Sequence, residues 1–318
     1  MTVQVDDLTL PSREELLVDP SKLPTPPAIV LQVIRHIGDE DNVSVAKLSE
    51  IISQDASLAA SLLRLANSAL YSPADRVTTL PRALMTIGLR QLRVHIMTTS
   101  MRQILPEENK GALSADEIRT RTVINGTMSR IFAEKLSPGI AEEAFLGGLL
   151  GSLGHLVLAQ RAPAIYDYLV QASGGWPDQI HEMDLLGYSL DDVTGDLLGL
   201  WELPANLAEA VVLRSHHRVG WEADDVDAEL VDALRLGLLA ERVLTGGDAA
   251  EPLKELLDVA RPLFGYDLLA LSNILVEAEP VVADIAESMQ FRDPTPEGGY
   301  GEQLTTARET LEADGVGA

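Results

Sequence analysis

The sequence predicts an all-α fold. Apolar residues recur at helical spacing from one end of the chain to the other, and no segment alternates apolar and polar residues over strand length with hairpin signals. Aromatic residues make up only 4% of a chain that is 46% hydrophobic, so the core must be filled by Leu, Ile, Val, Ala and Met. Ala, Leu and Met are among the better helix formers.

Taken in order, "PAIVLQVIRHIGD" follows a proline-rich entry, "LPTPP", and stops at Gly38. Ser44 is a plausible N-cap for "SVAKLSEIIS", and Asp55 for "DASLAASLLRLANSAL", which sets Leu58, Leu62, Leu65 and Ala69 on one face. Thr79 caps "LPRALMTIG", with Pro81 tolerated in the first turn. Gly88 ends or bends that helix before "LRQLRVHIMTTSMRQIL". A polar loop leads to a long helix from about Asp116 to Leu136, broken by "SPG". Ser189 and Asp192 have capping-box spacing, and Pro204 opens "ANLAEAVVLRSHH". Helical patterns continue at Val226–Thr245, Pro252–Phe264 and Leu268–Met289. "RDPTPEGGYGEQ" then reads as linker, followed by a short helical piece, "LTTARETLEA".

Composition narrows the function. The formal net charge of the 318 residues is −25, which repels nucleic-acid phosphate over most of the surface. A helix-turn-helix reading of "VAKLSEIISQDASLAASLLRLANSA" fails on charge, because its second helix carries only Arg64 as a base. With no cysteine there is no disulfide frame, thiolate metal site or cysteine nucleophile. No phosphate-loop or dinucleotide-binding pattern is present. The N-terminus lacks the basic and apolar regions of a signal peptide.

The stretch Ala144 to Gln160, "AFLGGLLGSLGHLVLAQ", has no formal charge and is the sole membrane candidate. At 17 residues it is at the short limit of a span, and Glu142, Glu143 and Arg161 flank it. A buried helix in a bundle is the expectation. Gly147, Gly151 and Gly154 share a side of it and would let neighbouring helices approach closely. His155 reads as a core or rim histidine, because no third group is identifiable to orient it as a base.

From Leu23 to about Arg93, "LPTPPAIVLQVI", "ISQDASLAASLLRLANSALYS" and "TTLPRALMTIGLRQLR" follow one another. Together they resemble the opening half of the HDOD family, the HD-related output domains of bacterial signalling proteins. "FLGGLLGSLGHLVLAQ" is similar to that family's central "GLLHDIGxLVLA" helix, and "LLGLWELPANLAEAVVLRSHH" to its closing pattern. The resemblance covers roughly residues 16–217. It implies an all-helical domain descended from metal phosphohydrolases, lacking their activity and acting in signalling.

An HD phosphohydrolase needs converging nitrogen and oxygen ligands and an open position for water. On this resemblance the central His-Asp position falls on Gly151 and Ser152, the upstream histidine near Arg121 and Thr122, and the later histidine near Leu190. Only His216 and His217 remain of the pattern. Adjacent residues on a helix point roughly 100° apart, so that pair cannot complete a site by itself. The expectation is a degenerate site with no catalytic residue, no metal and no cofactor.

Between Arg76 and Pro106 the chain has five arginines and no acid. Within this run Arg90 and Arg93, three apart, are the candidates for docking a partner or an anion. The alternative is pairing within the chain. The expected organisation is an HDOD domain over 10–221, split into an N-terminal helical subdomain at 10–106 and a degenerate HD-like bundle at 107–221. An acidic helical extension follows at 222–292, where acids dominate, and then a flexible tail at 293–318. The functional expectation is a non-catalytic signalling module in the bacterial cytosol that binds a protein partner, with no nucleic acid and no membrane; a homo-oligomer stays open. The alternatives are a cyclic-dinucleotide or other nucleotide sensor, and a metal-dependent phosphohydrolase with a divergent site.

Overall fold

The computed structural model describes residues 9–19, 22–38, 43–68, 71, 75–215, 227–247 and 249–316. Among them the structure is helical, with one isolated bridge, Lys110 to Leu113, and no strand. Among the described residues no helix is long and apolar enough to cross a membrane.

The N-terminal part holds α1 (Arg13–Leu17), α2 (Ala28–Gly38), α3 (Val45–Ile52), α4 (Ala56–Ala66), α5 (Leu80–Ile87) and α6 (Leu89–Ile104). Its starts follow the cap chemistry. Ser44 Oγ accepts from the Lys47 amide, and the Asp55 carboxylate from Ser57 and Leu58. Thr79 is the N-cap of α5, but its side chain makes no cap bond, and Pro81 removes a donor from the first turn. Gly88, at φ +80°, turns the chain between α5 and α6 in a conformation that a side chain would strain.

The second part holds α7 (Ala115–Leu136), α8 (Ala141–Leu150), α9 (Leu153–Arg161), α10 (Pro163–Ala172), α11 (Gln179–Leu186), α12 (Leu190–Leu200) and α13 (Ala205–Leu213). Ser189 and Asp192 form the expected capping box of α12. The apolar stretch 144–160 is buried throughout, apart from the half-buried Gln160, but it is two helices. Side chains take the backbone groups at the break. The Gly151 carbonyl accepts from Arg214 Nη2 at 2.9 Å and Thr194 Oγ1 at 3.2 Å, and the Gly154 amide donates to Thr194 Oγ1 at 2.9 Å. Groups that would otherwise continue the i to i−4 ladder are thereby satisfied across the bundle.

The last part holds α14 (Ala228–Thr245), α15 (Ala250–Phe264), α16 (Leu268–Glu277), α17 (Glu279–Ser288) and α18 (Gly301–Ala313). Three expectations give way here. First, the acidic region is not an extension: α14 packs along both α7 and α8 at the centre of the molecule. Gly237 permits that approach, since a Cβ there would lie 2.0 Å from Ser129 Oγ. Second, the pattern Leu268–Met289 is two helices, because Pro280 in the first turn of α17 lacks the amide that would continue α16. Third, the tail is not a flexible appendage. Tyr300, Leu304, Ala307 and Leu311 are buried, the Tyr300 amide donates to Glu279 Oε1 at 2.5 Å, and Gln303 Nε2 donates to the Val243 and Gly246 carbonyls.

Candidate functional site

Where α8 breaks into α9, the chain faces α7, α11, α12, α14 and the end of α13, and this junction is built from charge. Arg214, at the C-cap of α13, is 2% exposed. Its guanidinium forks onto Asp191, with Nε to Oδ2 at 3.1 Å and Nη2 to Oδ1 at 2.7 Å. A bidentate, charge-assisted pair of this kind fixes the plane of the group as well as its position. Gly151 makes room for it. A Cβ at Gly151 would lie 1.9 Å from Arg214 Nη1, so any side chain there displaces the guanidinium.

Arg121, on α7, is the second buried cation. Its Nη1 donates to the buried Glu241 of α14, and its Nε and Nη2 reach Glu117 one turn back. Its guanidinium lies 4.4 Å from the ring centroid of Trp176, in cation–π contact. Glu241 also accepts from Thr245 Oγ1 at 2.9 Å. Each buried acid of these pairs thus has its own guanidinium, and Glu241 has Thr245 as a further donor; pairing of this kind is the condition under which buried charges are tolerated.

His155 and Glu182 lie beside the ion pairs. The His155 ring packs 4.3 Å from Trp176, with Tyr166 edge-on at 6.1 Å. Burial, reinforced by the charges of Arg121, Arg214 and Arg242, holds its imidazole well below the ordinary range, so it is neutral. Burial pushes the Glu182 carboxyl up to about 8, against the lowering effect of the Leu190 amide bonded to Oε2 at 2.8 Å. His155 Nε2 and Glu182 Oε1 are 3.8 Å apart. At neutral pH this is a neutral imidazole beside a protonated acid, not an ion pair.

Four sequence-selected positions, Arg121, Gly151, Ser152 and Leu190, come to this junction. Ser152 lines a cavity of about 30 Å³ with His155, Glu182, Asp191, Arg214 and Glu241, room for about one water. Leu190 is buried, and its amide and carbonyl hold Glu182 and Thr194. His216 and His217 lie outside the described residues. The cavity does not fit a divalent cation, because Asp191 and Glu241 are already engaged by guanidiniums; among the described residues no group of three or more His, Asp or Glu is arranged to hold a metal ion.

Sequence reasoning missed Arg214, Asp191, Glu182 and Glu241. Two carried a legible signal: Glu241 interrupts the apolar run "LGLLAERVL", and Arg214 directly follows the apolar run "AVVL" at the end of its helix. Buried charge at such positions asks for a partner. Arg90 and Arg93 lie on α6, away from this junction. Arg90 is exposed and donates to the Gly139 carbonyl, and Arg93 is half-buried.

Comparison with known proteins agrees with the helical architecture. A candidate phosphohydrolase from Shewanella amazonensis SB2B is 24% identical, with a TM-score of 0.61 over 86% of this chain and 97% of that one. An HDOD domain protein from Geobacter sulfurreducens is 20% identical, with a TM-score of 0.60 over 84% and 92%. A candidate signal transduction protein from Marinobacter aquaeolei VT8 is 21% identical, with a TM-score of 0.59 over 90% and 64%. An uncharacterised protein of Treponema pallidum (strain Nichols) is 24% identical over 204 residues, which is 62% of this chain and 38% of that protein. At these identities the structural likenesses speak for the fold. The HDOD domain model matches residues 23–219, more than half of the sequence, and the chain belongs to the HDOD domain family.

Proposed function

We propose that the chain is a non-catalytic regulatory module that works by binding a signalling protein. One observation carries the non-catalytic half: the Arg214 guanidinium is seated against Gly151 and locked onto Asp191, where the resemblance places a metal ligand. A fixed cation in that place serves the carboxylate but activates no water, and nucleophile formation at neutral pH needs a bound water of lowered pKa. The name of the Marinobacter neighbour, a candidate signal transduction protein, agrees with this reading. The Shewanella neighbour's name points the other way, and the donor set at Gly151 and Ser152 is the reason to set it aside.

The partner-binding half rests on α6 and its approach. Five arginines and no acid lie between Arg76 and Pro106 in a chain of net charge −25. Arg76, Arg82, Arg90 and Arg102 are exposed. Arg82 has an acid, Asp75, within 3.8 Å, whereas Arg90 and Arg102 donate to neutral oxygens of Gly139 and Gln290. Their positive charge is therefore available to an acidic surface, which would be steered to this face.

A single preparation tests both halves. With manganese, iron or magnesium added, the purified chain should turn over neither phosphomonoesters nor cyclic dinucleotides. Captured from its native host, it should retain a partner that a folded Arg90→Glu/Arg93→Glu variant loses. Metal-dependent turnover contradicts the first half, and equal partner recovery by the variant contradicts the second.

A further inference from the structure

Helix α11 is held to the bundle unlike its neighbours. It buries one side chain fully, and that side chain is an acid, Glu182, whereas α9, α10, α12 and α13 each bury several apolar residues. Its own apolar residues are divided. Leu185 and Leu186 are half-buried against the core, and Ile180 and Met183 are exposed. Among the described residues, the helix it packs against closely is α10. Gly174 before it and Gly187 after it are both at positive φ, where glycine turns the chain without strain. A segment with so few buried apolar contacts opens at a lower free energy than the core around it.

Two groups of this segment face inward. Trp176 lies against His155 and Arg121, and Glu182 points into the small cavity. Glu182 Oε2 accepts from the Leu190 amide at 2.8 Å, which ties α11 to the start of α12. Its Oε1 stands 3.8 Å from His155 Nε2 on α9, too far for a direct hydrogen bond. The other charged groups around the cavity are Asp191 of α12, Arg214 at the end of α13, and Glu241 and Arg242 of α14. Tyr166 of α10 lies edge-on to His155. Arg214 is engaged by Asp191, Arg121 of α7 by Glu241, and Arg242 reaches Glu255 of α15 at 4.0 Å. On α11 itself, Asp178 and His181 pair with each other at 2.9 Å. An ionised Glu182 would thus be buried beside Asp191 with the cations around it already committed, so the closed helix favours the protonated acid.

We propose that α11 is a proton-latched flap: it lies closed over the cavity while Glu182 carries its proton, and it swings out about Gly174 and Gly187 when the carboxyl ionises. Opening gives the carboxylate to water, releases the Leu190 amide and lifts Trp176 from His155. It uncovers the Arg121–Glu241 and Arg214–Asp191 pairs. It also joins the small cavity to a neighbouring cleft of about 500 Å³, whose lining includes Asp178, Gln179 and Ile180. The exposed Ile180 and Met183 move with the helix, so the surface it presents changes with pH. The carboxyl titrates near 8 in the closed state and near its ordinary value of 4.5 once in water. The closed state therefore holds the extra proton between those values, and the open fraction rises about tenfold per pH unit across the window and levels off above it.

Hydrogen–deuterium exchange of the full chain, read by mass spectrometry over peptides covering 182–187 and α7, tests it. After correction for intrinsic exchange, protection at 182–187 should lie at least about a hundredfold below that of α7 at each pH, the mark of local opening. It should fall about tenfold per pH unit from about pH 5 to 8 and then level off. Glu182→Gln keeps an acceptor for the Leu190 amide and cannot ionise, so it should remove the slope. His181→Gln, which breaks the pair with Asp178, should leave the slope in place. Should Glu182→Gln disturb the fold, the wild-type slope and its levelling decide the matter. Protection at 182–187 equal to that of α7 would show that α11 opens only with the whole fold and overturns the proposal. So does protection without pH dependence, or a slope that survives Glu182→Gln or vanishes with His181→Gln.

Discussion

Gly151 matters through the side chain it lacks. The space a Cβ would take is filled by Arg214, which in turn neutralises Asp191 and holds the Gly151 carbonyl at the break between α8 and α9. Gly151→Leu is expected to destabilise by about 1–3 kcal/mol through overpacking, measured by urea unfolding. Unchanged stability would mean that the guanidinium is not seated there. Glu182 gives a pH signature. Its folded-state pKa is raised to about 8 by burial, whereas an unfolded carboxyl titrates near 4.5. Between those values the folded chain holds a proton that the unfolded chain has lost, so Glu182 makes stability fall as pH rises from about 4.5 to 8 and adds no slope beyond. Glu182→Gln mimics the protonated acid and should flatten the decline across that window. An identical pH profile for wild type and variant would show that Glu182 is ionised in the fold.

At the scale of elements, starts were legible and interruptions were not. Ser44, Asp55 and Ser189 mark helix starts because the cap is a local interaction between a side chain and amides two or three residues away. The break at Gly151–Ser152 depends on Thr194 and Arg214, about 40 and 60 residues downstream, and no local pattern announces them. The tail misled for a related reason. Its proline and glycine content reads as linker, yet α18 returns to the fold through Tyr300, Leu304 and Leu311. Each large apolar side chain so buried contributes about 1.5–3 kcal/mol. Truncation after Arg292 should therefore lower the melting temperature by on the order of 10 °C in a calorimetric scan, using about 2–4 °C per kcal/mol for a domain of this size. A shift under a few degrees would show that α18 is not part of the cooperative unit.

Across the whole molecule, fold class and family were legible because they reside in periodicity and in motifs carried by contiguous residues. The candidate site was half legible. Arg121, Gly151, Ser152 and Leu190 could be placed by motif, but the ion pairs found beside them, Arg214 with Asp191 and Arg121 with Glu241, join distant helices. Glu241 sits on α14, which lies outside the matched 23–219 yet packs at the centre of the bundle. The junction therefore belongs to the entire fold and not only to its HDOD portion. On the function proposed above, guanidiniums stand where a phosphohydrolase would hold its cation. The most direct measurement is elemental analysis of the chain purified without chelator and supplied with iron, manganese and zinc. The expected result is no stoichiometric metal. One equivalent of metal per chain, lost on changing His216 or His217, would contradict it.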